Sequence, residues 1–199
     1  TCNVEINYSN GKGLYAVLYN NYGKGETGWR TQFLENGSQV TGPYDGLRHE
    51  KTGIYVNYNR NVLTWLNLNI GGEVYYYDSH SDYQTDVLQV HGWGKWAEGS
   101  LSFMLNHQKT LIGEVSYRHW FREYFAQTQS DSYAYLRMSL KYSCLDDRLK
   151  ISFTIGDPFH QNINRNTIFY KDYTNTNQFD NHSRYIGLRV TWSFGGKQV

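Results

Sequence analysis

Strict alternation of apolar and polar side chains is the feature that most restricts how this chain can fold. In the segment RYIGLRVTWSFGGKQV, which starts at Arg184, apolar residues take every second position from Ile186 to Phe194. Successive side chains of a strand point to opposite faces, so the segment predicts one strand with an apolar and a polar face. The same period recurs along the chain, and no helical periodicity competes with it. The sequence therefore predicts an all-β fold whose apolar face covers either a protein core or lipid.

Composition narrows the class of protein. Of the 199 residues, 17% are aromatic, 19 of them Tyr, and the mean hydropathy is -0.69. This aromatic content argues against disorder and favours strands. The net charge of +1 gives no sign of nucleic-acid binding. No apolar run reaches the 18 residues of a membrane-spanning helix, but a membrane-spanning strand needs only about 9–11 residues with one apolar face.

The connections between the predicted strands differ in length. About nine strands are predicted, and the long polar stretch from Asn21 to about Glu50 reads as a loop, with a short hairpin around LENGSQ as an option. Short turns are predicted near Asn10, Arg60, Gln108 and Asp146. Long polar loops are predicted near Gly25, Ser79, Ala126 and Asn166. Short and long connections alternate, which in an up-and-down antiparallel meander places all the turns at one end and all the loops at the other.

This sorting of connections favours a transmembrane β-barrel, with short periplasmic turns and long extracellular loops, over a Greek-key sandwich. Aromatic residues near both ends of the strands match the aromatic belts of membrane barrels. Two alternatives stay open at this point. The first is a soluble β-sandwich that binds carbohydrate through exposed aromatics. The second is a small outer-membrane barrel enzyme.

The last strand resembles the C-terminal insertion signal of bacterial outer-membrane barrels. That signal has a polar residue, then Gly, then alternating bulky residues near the end of the chain. The matching residues are Tyr185, Gly187, Val190, Trp192 and Phe194. The chain departs from the signal by continuing through GGKQV. The resemblance implies insertion into the bacterial outer membrane.

The last fifty or so residues also resemble the TonB-dependent-receptor-like outer-membrane β-barrel family of Bacteroidetes. The segment DDRLKISFTIGDPF runs into an Asp-Pro-Phe corner at 157–159, and the last strand ends in Phe-Gly-Gly at 194–196. The resemblance implies that residues 1–199 are the C-terminal part of a barrel of roughly 22 strands. It implies nutrient uptake as the function. As partners it implies membrane lipid, the remainder of the barrel, a plug domain, TonB and a surface lipoprotein.

Residues with catalytic or metal-binding potential give no convincing site. Asp78, His80 and Asp82 would share one face if the segment were extended, but a solvated loop is the simpler interpretation. His119 and Glu123 have a helical metal spacing in a segment that is predicted as a strand end. No Ser, His or Asp spacing singles out a nucleophile with its base. We therefore expect no enzymatic activity, no metal and no cofactor, and the sequence does not identify the ligand.

Charged residues on the polar faces predict a neutralised interior. The positions Arg118, Arg137, Lys141, Lys150 and Arg189 would point inward together with Glu73 and Glu114. We expect these carboxylates to pair with these cations. The two cysteines, Cys2 and Cys144, are predicted at opposite ends of the strands, too far apart for the roughly 7 Å between Cα atoms that a disulfide requires.

Overall fold

A computed structural model describes residues 1–34, 37–83, 86–125, 128–169 and 174–194. Within these ranges the chain forms thirteen strands and no helix that could cross a membrane. The strands are β1 Cys2–Ser9, β2 Leu14–Phe33, β3 Gln39–Leu63, β4 Leu66–Tyr83, β5 Asp86–Met104, β6 Leu111–Trp120, β7 Glu123–Phe125, β8 Thr128–Ser130, β9 Tyr133–Cys144, β10 Leu149–Gly156, β11 Ile163–Phe169, β12 Thr174–Asp180 and β13 Tyr185–Trp192.

Nine of these strands form one antiparallel meander, in the order β1-β2-β3-β4-β5-β6-β9-β10-β13. The prediction of an antiparallel up-and-down sheet of about nine strands is therefore confirmed. In the described structure β1 pairs only with β2 and β13 pairs only with β10, so the sheet is open at both edges. A second sheet, in the order β12-β11-β8-β7, is inserted at one end of the meander, between β6 and β9 and between β10 and β13.

The predicted long loops prove to contain paired strands. The stretch from Asn21 to Glu50 continues β2 and β3 as one hairpin, in which Leu34 N–H donates to the Ser38 carbonyl at 2.8 Å. The loop predicted near Ser79 is the continuation of β4 into β5. The alternative prediction of a short hairpin around LENGSQ was correct about where the chain reverses direction. The hairpin itself is much longer than predicted. The sequences of these extensions show no regular alternation of apolar and polar residues, so the period gave no signal there.

The other predicted connections are also corrected in part. The turn expected near Arg60 lies four residues later, between Leu63 and Leu66. The loop near Asn166 is the β11–β12 hairpin, and the loop near Ala126 includes β7 and β8, although Ala126 itself lies outside the described residues. The turns near Asn10, Gln108 and Asp146 are where the sequence predicts them. Short and long connections therefore do lie at opposite ends of the sheet.

The two faces of the main sheet have opposite character. From β4 to β13, one cross-strand row on the first face contains only aliphatic residues and Met: Leu68, Leu101, Val115, Met138, Ile155 and Ile186. On β3 this row ends at Arg60. The neighbouring row on the second face contains Asn69, Ser100, Ser116 and Arg137. We call these the apolar face and the polar face.

No protein layer covers the apolar face among the described residues. Ile186 is 74% exposed, Leu188 is 70% exposed and Ile6 is 64% exposed. A soluble sandwich buries such a face against a second sheet, because exposed apolar area costs about 25 cal/mol per Å² in water. The apolar face therefore suits a hydrocarbon environment, and the sandwich alternative is not supported.

Candidate solute-binding surface

A row of alternating tyrosines and glycines crosses the polar face from β2 to β5. The register pairs Tyr19 with Gly53, Gly53 with Tyr75, and Tyr75 with Gly94. The Tyr75 ring lies directly over Gly94, where an added Cβ would come within 2.1 Å of it. Tyr75 is consequently only 6% exposed, although it lies on an uncovered sheet face. The glycines allow large rings to lie flat across the neighbouring strands.

Glu73 is the centre of a polar cluster beside this row. Its carboxylate accepts hydrogen bonds from Lys51 Nζ at 2.7 Å, from Trp96 Nε1 at 2.6 Å and from the Tyr19 hydroxyl. The Lys51 ammonium also lies 3.8 Å from the centre of the Tyr75 ring, a cation–π contact. Three donors satisfy this largely buried charge, which would otherwise be costly to remove from water.

A second ion pair lies further along the polar face. Arg118 Nε donates to Glu98 Oε2 at 2.7 Å, and its guanidinium lies over the rings of Trp96 and Trp120 at 5.2 and 5.4 Å. A depression of about 300 Å³ separates this pair from the next strands and is lined by Arg118 and Arg137 among others. The aromatic contacts hold the guanidinium at one wall of this depression.

The prediction of a neutralised interior is correct only in part. Glu114 does pair with Lys141, whose Nζ lies 2.6 Å from Oε2. Glu73, however, pairs with Lys51, and Arg118 pairs with Glu98; neither Lys51 nor Glu98 was among the predicted partners. In the described part of the chain, Arg137, Lys150 and Arg189 have no carboxylate within ion-pair distance. The polar face is therefore neutralised on β2–β6 but positive on β9, β10 and β13.

The small outer sheet reaches back over the polar face through β7. The Tyr124 ring packs on Gly92 of β5, and Glu123 lies close enough to Lys51 and Glu73 to interact electrostatically with both. Burial and the neighbouring Glu73 raise the pKa of Glu123, while Lys51 acts in the opposite direction. The outer sheet thus adds a carboxyl group to one end of the Glu73 cluster.

Asp157 organises the connection that carries the rest of the outer sheet. It is 2% exposed and accepts hydrogen bonds from the Gln161 N–H at 2.7 Å, the Asn162 N–H at 3.2 Å and the Ser183 hydroxyl at 2.8 Å. Burial alone would raise the pKa of Asp157. The three hydrogen bonds together have the larger effect, so the pKa lies below the ordinary value of an Asp carboxyl. The Asp-Pro-Phe corner, which the sequence singled out only by resemblance, therefore ties both ends of the β10–β13 connection together.

The residues of the predicted insertion signal divide between the two faces. Tyr185 and Gly187 lie on the polar face, where the Tyr185 ring covers Gly156 of β10. Val190, Trp192 and Phe194 lie on the apolar face and are exposed, Phe194 by 89%. These residues lie in or directly after the edge strand β13, where the sequence predicts a strand. Their role as an insertion signal stays a prediction.

The other candidate residues lie on β4 and at the two ends of the main sheet. Asp78 and His80 lie in β4 rather than in a loop, and the side chain of Asp82 is outside the described set. No group of three or more potential metal ligands occurs among the described residues. Cys2 pairs with Tyr22 at one end of the sheet and Cys144 with Leu149 at the other, and both are free thiols.

Within the described ranges, a contact between Ser132 and His119 resembles a nucleophile and its base. The Ser132 hydroxyl lies 2.8 Å from His119 Nε2 and 3.0 Å from the Trp120 carbonyl oxygen. If its single proton goes to that carbonyl, Nε2 must donate to the serine, and Nδ1 then accepts from the Tyr117 hydroxyl at 3.1 Å. In this arrangement the histidine donates to Ser132, whereas in the other tautomer Nε2 accepts the serine proton at the same 2.8 Å distance.

An antiparallel meander with one exposed apolar face, one polar face, and turns and long hairpins sorted to opposite ends is the construction of a transmembrane β-barrel. Comparison with known families agrees with this class. The chain belongs to the outer membrane protein beta-barrel family, whose model matches residues 1–192. It is therefore an all-β protein of the bacterial outer membrane. No curated protein and no solved structure matches it.

Proposed function

We propose that this chain is the C-terminal part of the barrel of a TonB-dependent-type receptor that takes up an extracellular nutrient. The observation that carries the proposal is the open nine-stranded sheet. A barrel has no free edge, since each strand hydrogen-bonds on both sides, and unpaired backbone groups in hydrocarbon cost several kcal/mol each. Partners for β1 and β13 are therefore required, and additional strands of a larger barrel supply them.

The long outer hairpins support a receptor role. β3 has 25 residues and β2 has 20, whereas about 9–11 are enough to cross the bilayer. At about 3.3 Å per residue the surplus extends some 30 Å or more beyond the membrane. Together with the β7–β8–β11–β12 sheet, these hairpins offer a large surface on which an extracellular solute can be captured.

The proposal includes no covalent chemistry. The Ser132–His119 contact is compatible with a structural network in which His119 donates to Ser132. The charged residues with defined partners are held by ion pairs rather than aimed at a common point. The polar face and the outer hairpins would act by binding and guiding a solute, which requires no catalytic group.

The test is made on the complete native gene product. It should fractionate with the outer membrane, require detergent, and be much heavier than the 23.3 kDa of this chain. Deletion of the gene should abolish uptake of its nutrient, and a proton uncoupler or loss of TonB should abolish uptake in the parent strain. A purified product of 23.3 kDa that forms a closed barrel by itself, or uptake insensitive to the uncoupler, would contradict the proposal.

A further inference from the structure

Three neighbouring strands of the main sheet contain basic residues and no acidic residue. The sequences of β9, β10 and β13 have no Asp or Glu, whereas their polar faces carry Arg137, Lys141, Lys150 and Arg189. We call these four residues the cationic patch. The only carboxylate that contacts the patch within the described structure is Glu114 of β6, which pairs with Lys141. The patch and Glu114 together therefore have a net charge of +3.

The register places Lys141, Lys150 and Arg189 close together. Arg137 lies further along the same face, four residues or about 13 Å from Lys141 on β9. Lys141 and Arg189 both lie opposite Ser152, one on each side of it, so they are two strand spacings or about 10 Å apart. Lys150 is two residues from Ser152 along β10, about 7 Å away on the same face. Small residues, including Thr154 and Gly187, which face each other, lie between the basic side chains. The cations thus surround a shallow floor that a small solute can reach.

The rest of the polar face shows that this imbalance is local. On β2–β6 the charges of Lys51 and Arg118 are matched by Glu73 and Glu98, and aromatic rings cover both cations. The cationic patch has no such cover: Arg137, Lys150 and Arg189 are all exposed. Uncompensated charges along a water-filled passage attract counter-ions of opposite sign and raise their local concentration.

From this placement we propose that the cationic patch binds small solutes with two or more negative charges on their way through the barrel. This inference rests on the proposed uptake function and adds the substrate class to it. Carboxylates and phosphates share the required chemistry, because both accept charge-assisted hydrogen bonds from Arg and Lys. The depression of about 300 Å³ beside Arg137 adds room at one end of the patch. Glu98 and Glu114 also line it, but both are held in ion pairs with cations.

The test measures binding of two probes, citrate and inorganic pyrophosphate, to the full-length protein in detergent at low ionic strength by titration calorimetry. We expect at least one probe to bind and salt to weaken its binding. The double variant Lys150→Gln with Arg189→Gln should lower the affinity at least about tenfold, the effect of losing one or more charge-assisted hydrogen bonds. Preference for one probe identifies carboxylate or phosphate as the recognised group.

Two further variants separate specific binding from a general effect of charge. Glu114→Gln releases Lys141 from its ion pair and should raise the affinity for the same probe. Lys95→Gln removes one positive charge from the opposite face, where Lys95 lies 4.7 Å from the Phe121 ring, and should leave the affinity unchanged. Retained heat-modifiable mobility in gel electrophoresis shows that each variant barrel is folded.

Each outcome is decisive. Absence of binding by both probes to the wild-type protein would overturn the inference, since it would mean that protein, such as an acidic face of a plug domain, already covers the patch. Equal loss of affinity in the Lys95 and Lys150/Arg189 variants would overturn it as well. Uptake that needs the proton gradient but does not depend on the patch would refute only the anion inference. Specific anion binding without energised uptake would refute only the transporter proposal.

Discussion

Lys51 is the cation on which the Glu73 cluster depends. Replacing Lys51 with Met leaves the Glu73 carboxylate with two neutral donors and no counter-charge, so we expect it to lower the free energy of unfolding by about 1–3 kcal/mol. Adding Glu73→Gln to this variant should recover part of the loss, because no unpaired charge remains. Denaturant titration of the folded barrel measures both effects. A double variant no more stable than Lys51→Met would show that the ion pair is not what stabilises this site.

Substitution of Gly94 by alanine tests whether close packing in the row of tyrosines and glycines stabilises the protein. An alanine at this position places its Cβ 2.1 Å from the Tyr75 ring, which Lys51 covers and which therefore cannot move freely. Overpacking of this kind costs about 1–3 kcal/mol. Gly99→Ala is the matched control, because its nearest heavy atom is a carbonyl oxygen at 3.9 Å. We expect the melting temperature to fall for Gly94→Ala only, and an equal fall in both would refute this account of the row.

At the scale of elements, Asp157 should make the order of the β10–β13 connection depend on pH. Its pKa is lowered in the folded protein, so its contribution is present above the usual Asp pKa and is lost as the pH falls through the lower, folded value. We expect hydrogen–deuterium exchange of amides 157–162, corrected for intrinsic rates, to rise below about pH 4, near the ordinary Asp value.

Asp157→Asn should raise this exchange at neutral pH and remove most of its pH dependence. Asp146→Asn is the control, because Asp146 is exposed in the β9–β10 turn at the opposite end of the sheet. If exchange in the wild-type protein were the same at pH 3 and pH 6, the hydrogen bonds of Asp157 would not be what orders this connection.

The accuracy of sequence-based prediction differs between elements for a physical reason. β13 and the inner half of β4 alternate between an apolar and a polar environment, so their period is visible and their faces were predicted correctly. The outer halves of β2 and β3 have no regular alternation in their sequences, and their pairing depends on backbone hydrogen bonds that leave no pattern in the side chains. Helical metal spacing at His119 and Glu123 had no meaning in strands. Loop lengths were therefore overestimated while the order of elements was correct.

The candidate site was only partly predictable. The inward direction of Arg118, Arg137, Lys141, Lys150 and Arg189 follows from alternation alone. Their partners do not, because cross-strand register decides which charges meet. Glu98 lies opposite Arg118 by register, although twenty positions separate the two residues in the sequence. The glycines of TGIY and GWGKW, isolated within strands, were a signal of close ring packing that could have been used.

At the scale of the whole molecule, the assignment of lipid to the apolar face makes the sharpest prediction. Leu188 lies near the middle of β13 and is 70% exposed, with Phe153 as its cross-strand neighbour. Arginine at a lipid-facing position near the midplane of the bilayer costs about 2–4 kcal/mol. We therefore expect Leu188→Arg to reduce the amount of folded barrel in the outer membrane sharply, as measured by heat-modifiable mobility in isolated membranes.

Thr191→Arg supplies the matched control on the other face of the same strand. Thr191 points to the polar face, opposite Lys150 and next to Arg189. The repulsion between these exposed like charges costs at most about 1 kcal/mol, less than an arginine in lipid. Folding in membranes should be nearly unchanged, because the new guanidinium remains in water. If both variants assembled equally well, water would cover both faces and the membrane assignment of β13 would be wrong. If only Leu188→Arg failed, lipid would be what the alternating apolar residues contact.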